Sequence, residues 1–152
     1  MKTAIVSFFL LTNLIAYDKG DLIDDSVASY LGCTENKIYV IDFFASWCGS
    51  CKKELPLLSK VNAVIDPNKV EIIGIDVDKD INAGREFQKS LKGENKLNFR
   101  VINDPQNLII SEFSPIGMPT LYYVKNKKIV GIVTGAVANI DEKIITDLKE
   151  ME

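Results

Sequence analysis

Two cysteines, Cys48 and Cys51, follow an apolar run at residues 39–45 and stand directly before a helical pattern. The two intervening residues let both thiols lie on the first turn of one helix, close enough to form a small disulfide ring. A helix N-terminus favours a thiolate there, because it presents free N–H groups and the positive end of the helix dipole. The spacing therefore predicts a redox-active dithiol, with Cys48 as the exposed nucleophile and Cys51, one turn deeper, as the resolving thiol.

A half zinc site is the alternative reading of the same cysteine spacing. Structural zinc takes four ligands, but the chain has no histidine and only one further cysteine, Cys33. We therefore expect no metal and no cofactor. If residues 37–45 form a strand, Cys33 lies at its entry end, ~20 Å or more from the pair. We expect Cys33 to be a structural thiol.

Two carboxyl groups lie near the cysteines in sequence. Asp42 interrupts an apolar strand, where burial would disfavour its charge and raise its pKa, so that it could exchange a proton near neutral pH. The alternative is a solvated position at a sheet edge. Glu54 follows Cys51 by three residues, which is one turn of the helix. The alternative to an active-site role for Glu54 is a surface position, from which it stabilises the helix N-terminus.

Length and composition fit one soluble globular domain of 152 residues, with a net charge of −3 and no cluster of Lys and Arg. Nucleic acid is therefore not an expected partner. Lys2 and the apolar run at residues 4–16 have the layout of a signal peptide, so we predict a signal or membrane anchor over 1–16 and the domain over 17–152. The alternative is a first strand at residues 5–11 of a cytoplasmic protein.

Strand and helix patterns alternate along the rest of the chain, as in an α/β domain. Hydrophobic periodicity predicts strands at 39–45, 70–77, 97–101, 121–124 and 129–133. It predicts helices from residue 50, at 78–91, after residue 105 and at 140–151.

The stretch FFASWCGSCKKELP resembles the thioredoxin superfamily, and the chain after it resembles the TlpA/ResA type of thiol-disulfide oxidoreductase. This resemblance implies a thioredoxin-like fold, with a mixed central β-sheet flanked by helices on both faces and a strand-helix insertion. Asp42 matches the buried acid of thioredoxins, which deprotonates the resolving thiol. Glu54 matches the active-site glutamate of the ResA-like CxxCKKE motif. ResA-like proteins usually have Asn in place of Asp42, so which acid works here is open.

The resemblance also implies a substrate site. Met118-Pro119 matches the position of a cis-proline that packs beside the cysteine pair. The backbone of Met118 would then pair with an extended segment of the substrate. Trp47 would shield the sulfurs.

The function implied is the reduction of protein disulfides in the cell envelope, with apocytochrome c as one substrate and cytochrome c maturation as one process. A partner thiol protein upstream would supply the electrons, the N-terminus could tether the protein to the membrane, and we expect a monomer. The alternatives are a general cytoplasmic thioredoxin, an oxidant, a non-catalytic binding module and a metal chaperone of this fold.

Overall fold

The structure is a computed structural model that describes residues 16–151. The signal or anchor predicted for 1–16 thus lies outside the described residues, except for its last position. Within residues 16–151, no helix is both long enough and apolar enough to cross a membrane.

The core of the fold is a five-stranded sheet with the spatial order β3-β2-β1-β4-β5. Its strands are β1 (Ile38–Phe44), β2 (Val70–Asp76), β3 (Arg100–Asn103), β4 (Thr120–Lys125) and β5 (Lys128–Thr134). The first three strands are parallel, whereas β4 runs antiparallel to β1 and β5 antiparallel to β4. The predicted mixed sheet is therefore confirmed.

Five helices accompany the sheet: α1 (Asp25–Leu31), α2 (Gly49–Asn62), α3 (Ile81–Gly93), α4 (Leu108–Phe113) and α5 (Ile140–Met151). Side chains that alternate along β1 show which helices lie on each face. Phe43 packs its ring on Phe113 of α4, with centroids 5.2 Å apart, whereas the next residue, Phe44, packs on Phe87 of α3 at 6.2 Å. Helices thus cover both faces, as the thioredoxin-like prediction required.

Strand β1 lies at the centre, and every one of its seven residues is buried. A strand that is covered on both faces reads as a continuous apolar run, which explains the composition of this segment. Because β1 leads directly into α2, the core fixes the position of the two cysteines.

The third strand begins three residues later than predicted. Residues 97–101 contain two buried apolar side chains, Leu97 and Phe99, which produced the strand pattern. Between them, Asn98 forms hydrogen bonds with Ser59 of α2 through both its backbone N–H and its side-chain amide. This segment is therefore tied to α2, and pairing with β2 begins only at Arg100.

One further pairing was not predicted. The segment before α1 runs beside β5, where the N–H of Gly20 donates to the carbonyl of Ile129 (2.8 Å) and the N–H of Ile23 donates to that of Lys127 (2.8 Å). A bridge between Leu22 and Lys128 lies between them. The segment has no apolar alternation, so its sequence carries no strand signal.

Candidate active site

Cys48 and Cys51 form a disulfide at the start of α2, with the two sulfurs 2.03 Å apart. Cys48 is the N-cap residue of this helix, and its sulfur accepts a hydrogen bond from the N–H of Cys51 at 3.2 Å. Cys48 is 7% exposed and Cys51 is fully buried. Cys48 is therefore the more accessible sulfur, but in the disulfide form it is far less exposed than predicted.

The carboxyl group of Asp42 lies in the core, on the central strand. It is 1% exposed, and neither of its oxygens has a hydrogen-bond partner among the described residues. Burial raises the pKa of Asp42 well above its ordinary value, and the nearby charge of Glu54 raises it further. The solvated-edge alternative is thus wrong, because Asp42 lies on the central strand and is buried there.

Glu54 lies beside this acid and is itself only 5% exposed, so it is not a surface glutamate. Burial raises the pKa of Glu54 to about 7, although its interaction with Asp42 acts in the opposite direction. Glu54 and Cys51 are three residues apart on α2 and both are buried, so they share the inner face of the helix. Glu54 of this helix thus interacts with Asp42 of β1, and we call these two carboxyl groups the acid pair.

A groove on one side of the disulfide holds two of the predicted substrate-binding residues. Trp47 and Met118 both line it, together with Val77, Ala83 and Ile110. We call it the tryptophan groove, and Trp47 itself is 68% exposed, so most of its ring is open to solvent. The structure thus brings together Trp47, which lies just before α2, and Met118, which lies 71 residues later in the loop before β4.

Pro119 follows the groove residue Met118 and is buried. The peptide bond between them is cis, as the resemblance implied. The carbonyl of Pro119 accepts a hydrogen bond from the N–H of Gly135 at 2.9 Å, whereas the Met118 backbone pairs with no described residue. The Met118 backbone groups are therefore available for an extended partner chain.

A second depression lies on the other side of α2. It is lined by Ser50, Lys53, Glu54 and Leu57 of the helix and by residues 136–138, which follow β5. We call it the glutamate cleft. It shares no lining residue with the tryptophan groove. The acid pair thus has an opening of its own to solvent, away from the residues predicted to hold substrate.

Three further buried carboxylates near the site were missed in the sequence. Asp76 and Asp78 stand at the end of β2, and Asp104 follows β3. A usable signal was present, because the carboxyl ends of parallel strands meet at one edge of a sheet, where sites form. Since β1 ends there at the cysteines, Asp residues at the ends of β2 and β3 must lie near the two cysteines.

The third cysteine is remote from this chemistry. Cys33 follows α1, is half-buried and forms no disulfide with a described residue. Burial raises the pKa of its thiol to about 11, which keeps it protonated. Residues 16–151 also contain no group of three or more His, Cys, Asp or Glu arranged to hold a metal ion. These facts leave Cys48 and Cys51 as the reactive pair of the described chain.

Comparison with known proteins agrees with this geometry. Residues 36–130 match the family described as Thioredoxin-like. The chain belongs to the thioredoxin-like family. Its relatives include the thiol-disulfide oxidoreductase ResA of Geobacillus thermodenitrificans, 24% identical over 93% of this chain and 82% of the relative. ResA of Bacillus subtilis is 28% identical over 64% of this chain, but the match spans only 52% of that protein.

A solved structure shows the same fold. The thiol:disulfide interchange protein DsbE of Chlorobium tepidum superposes with a TM-score of 0.75, covering 89% of this chain and 98% of that one, at 19% identity. At this identity the likeness establishes the fold alone. The predicted resemblance to ResA-type proteins of the thioredoxin superfamily is confirmed.

Proposed function

We propose that this chain is a thiol-disulfide oxidoreductase that reduces protein disulfides. The observation that carries the proposal is the Cys48–Cys51 disulfide on the first turn of α2, one helical turn from Glu54 of the acid pair. A dithiol with an adjacent proton store has what thiol-disulfide exchange requires. The names of its ResA relatives, thiol-disulfide oxidoreductase, support the same activity.

The reaction begins with the reduced enzyme, in which the Cys48 thiolate attacks one sulfur of the substrate disulfide. A Cys48–substrate disulfide forms, and the other substrate sulfur leaves as a thiolate. The thiol of Cys51 then loses its proton and attacks the sulfur of Cys48, which releases the second substrate thiolate. Two electrons pass to the substrate, and the enzyme returns to the disulfide form. An upstream thiol protein reduces it again.

The acid pair moves the proton in the second step. When the Cys51 thiol becomes a thiolate, its proton passes to a carboxylate on the same side of α2, and reduction of the disulfide returns it. Burial raises the pKa of Glu54 to about 7, so this group changes its charge near neutral pH, and burial also raises the pKa of Asp42 well above its ordinary value. We assign the exchange with solvent to Glu54, because it lines the glutamate cleft.

Docking of the substrate belongs to the other side of the helix. In the tryptophan groove, Trp47 offers an exposed ring and Met118 a backbone that pairs with no residue of 16–151. An extended segment of a protein substrate could pair with Met118 by strand addition while its disulfide faces Cys48. Apocytochrome c is our candidate substrate because the resemblance to TlpA/ResA-type proteins implies it, and the leader pattern of residues 1–16 supports the cell envelope as the location. We propose that the protein acts as a monomer, tethered or exported by that leader.

An equilibrium redox titration tests the direction of electron flow. Trp47 is the only tryptophan and precedes Cys48, so its fluorescence reports the state of the pair. A potential of about −270 mV or lower, as in thioredoxin, is expected for a reductase. A potential near about −120 mV would identify an oxidant instead. Absence of a two-electron transition would refute the redox function.

Turnover with a protein disulfide substrate and a dithiol donor tests the roles of the cysteines. Cys48→Ser is expected to abolish turnover, because no other described thiol can attack in its place. Cys51→Ser should form the mixed disulfide and stop there, which mass spectrometry would detect. Cys33→Ser is the matched control and should retain wild-type turnover. Equal losses in all three variants would contradict the assignment.

A further inference from the structure

The loop that leads into the active-site helix is held by a buried carboxylate. Ser46 donates two hydrogen bonds to Asp78, one from its backbone N–H (2.7 Å) and one from its hydroxyl (2.8 Å). Both oxygens of Asp78 are used in this way, and the side chain is buried. Hydrogen bonds to an ionised carboxylate are about twice as strong as neutral ones. The backbone just before Trp47 and Cys48 is therefore fixed to the end of β2.

Asp78 is itself held in place through helix α3. Its backbone N–H donates to one oxygen of Asp76 at 2.9 Å. The other oxygen of Asp76 accepts from the side-chain amide of Gln88 in α3 at 2.6 Å, and the same amide donates to Asn103 of β3 at 2.8 Å. A continuous set of hydrogen bonds thus joins α3 and β3 to the loop that carries Trp47.

Helix α3 reaches Asp76 through a very close approach. A Cβ atom at Gly84 would lie 2.7 Å from a carboxylate oxygen of Asp76, which is shorter than real Cβ contacts allow. Gly84 is therefore required by packing at this place. The approach fixes α3 against the end of β2, so Gln88 meets Asp76 in a defined position.

We propose that Asp78 is a positioning residue, which orients the Ser46-Trp47 loop for substrate docking and depends for its own placement on Asp76 and on Gln88 of α3. The expected effect of Asp78 on turnover rests on the proposed function. The structural part of the inference is independent of that function. Helix α3 and strand β3 then contribute to the site, because they help to fix the tryptophan that lines the groove beside Cys48.

The test compares Asp78→Ala with Asp78→Asn and Ser46→Ala. Asp78→Ala removes both acceptors of the loop, Asp78→Asn keeps one acceptor, and Ser46→Ala removes only the hydroxyl donor. Time-resolved fluorescence anisotropy of Trp47 should show the greatest loop mobility in Asp78→Ala. In Asp78→Asn the mobility should lie between that of Asp78→Ala and that of the wild type. Ser46→Ala should lie closest to the wild type. Gln88→Ala should show the same change as Asp78→Asn or less.

Kinetics provide the second readout. For a protein disulfide, Asp78→Ala should lower kcat/KM by about 10- to 100-fold, mostly through KM, as expected for loss of a positioned contact. A small disulfide, which needs no groove, should be reduced at nearly the wild-type rate. Asp66→Asn is the matched control, because Asp66 also accepts a backbone N–H, from Asn68, in the loop before β2. It should leave anisotropy and kinetics unchanged.

The outcomes separate the two proposals. Unchanged Trp47 anisotropy in folded Asp78→Ala overturns the positioning role, whatever the kinetics. If Asp78→Ala does not fold, Ser46→Ala and Asp78→Asn decide, and wild-type anisotropy in both overturns the role. A wild-type protein without turnover overturns the proposed function, while a graded change in anisotropy would still support the positioning role.

Discussion

Two groups of buried carboxylates lie near the same disulfide, and they differ in what their oxygens bind. In the acid pair, Asp42 has no hydrogen-bond partner among the described residues. In the second group, the carboxylates of Asp76, Asp78 and Asp104 all accept hydrogen bonds from backbone N–H groups. Both groups are buried, and burial raises the pKa of Asp76 as it does that of Asp42, so the two groups differ in their hydrogen-bond partners.

This difference separates proton exchange from structure. A buried carboxylate that accepts several N–H groups is stabilised as an anion and fixes the backbone that donates to it. A buried carboxylate without donors binds a proton tightly and is costly to ionise. Burial alone therefore does not mark a catalytic acid. What sets Asp42 apart from the second group is that its carboxyl group has no hydrogen-bond donor among the described residues.

The largest expected effect follows from removing the carboxyl group of Asp42. Asp42→Asn should lower the turnover of protein disulfides at neutral pH by roughly 10²-fold, because general acid-base catalysis contributes about 10²–10⁴-fold. The pH profile of kcat between pH 5 and 9 measures this. Asp104→Asn is the matched control from the second group and should keep the wild-type profile. Identical profiles for Asp42→Asn and the wild type would remove the acid pair from the mechanism.

The next effect is on stability and depends on pH. The pKa of Glu54 rises from 4.5 to about 7 on folding, and that of Asp42 also rises, so the folded state binds protons more tightly than the unfolded state. The free energy of unfolding should therefore fall as the pH rises from about 5 to 8, by roughly a few kcal/mol. Urea unfolding at both pH values measures it. The fall should be smaller in Asp42→Asn, and an equal fall in both proteins would contradict the assignment.

The smallest expected effect belongs to the second group. Asp104 accepts hydrogen bonds from the N–H groups of Leu108, Ile109 and Ile110, at 2.8, 3.0 and 3.0 Å, and thereby fixes the start of α4. Asp104→Ala should lower the free energy of unfolding by about 1–3 kcal/mol, because buried donors lose their acceptor. The loss should persist at pH 5 and 8 alike. A loss that grew with pH like that of the acid pair would erase the distinction.

The fold was predictable where one physical signal decided each element. The apolar run of β1 and the cysteine pair each predict their structure from local sequence. Strand β3 was misplaced because Asn98 forms hydrogen bonds with Ser59, which is 39 residues earlier. The edge pairing of residues 20–23 was missed because it uses backbone groups alone.

The candidate site was predictable by residue type more than by environment. Cys48, Cys51, Asp42 and Glu54 came from motif and spacing, but the sequence left open which carboxyl group works. The structure adds that the two carboxyl groups interact, so neither titrates alone. Asp78 was missed because its partner, Ser46, is 32 residues away and carries no signal of its own.

The segment beside β5 has a consequence for the behaviour of the protein in concentrated solution. An open sheet edge presents unpaired N–H and C=O groups that can recruit a strand from a neighbouring molecule. Here residues 20–23 occupy part of the β5 edge, and the opposite edge is the four-residue strand β3. Neither side offers a long free template for intermolecular strand pairing. The protein should therefore resist aggregation through its sheet edges even while its redox site accepts an extended chain elsewhere.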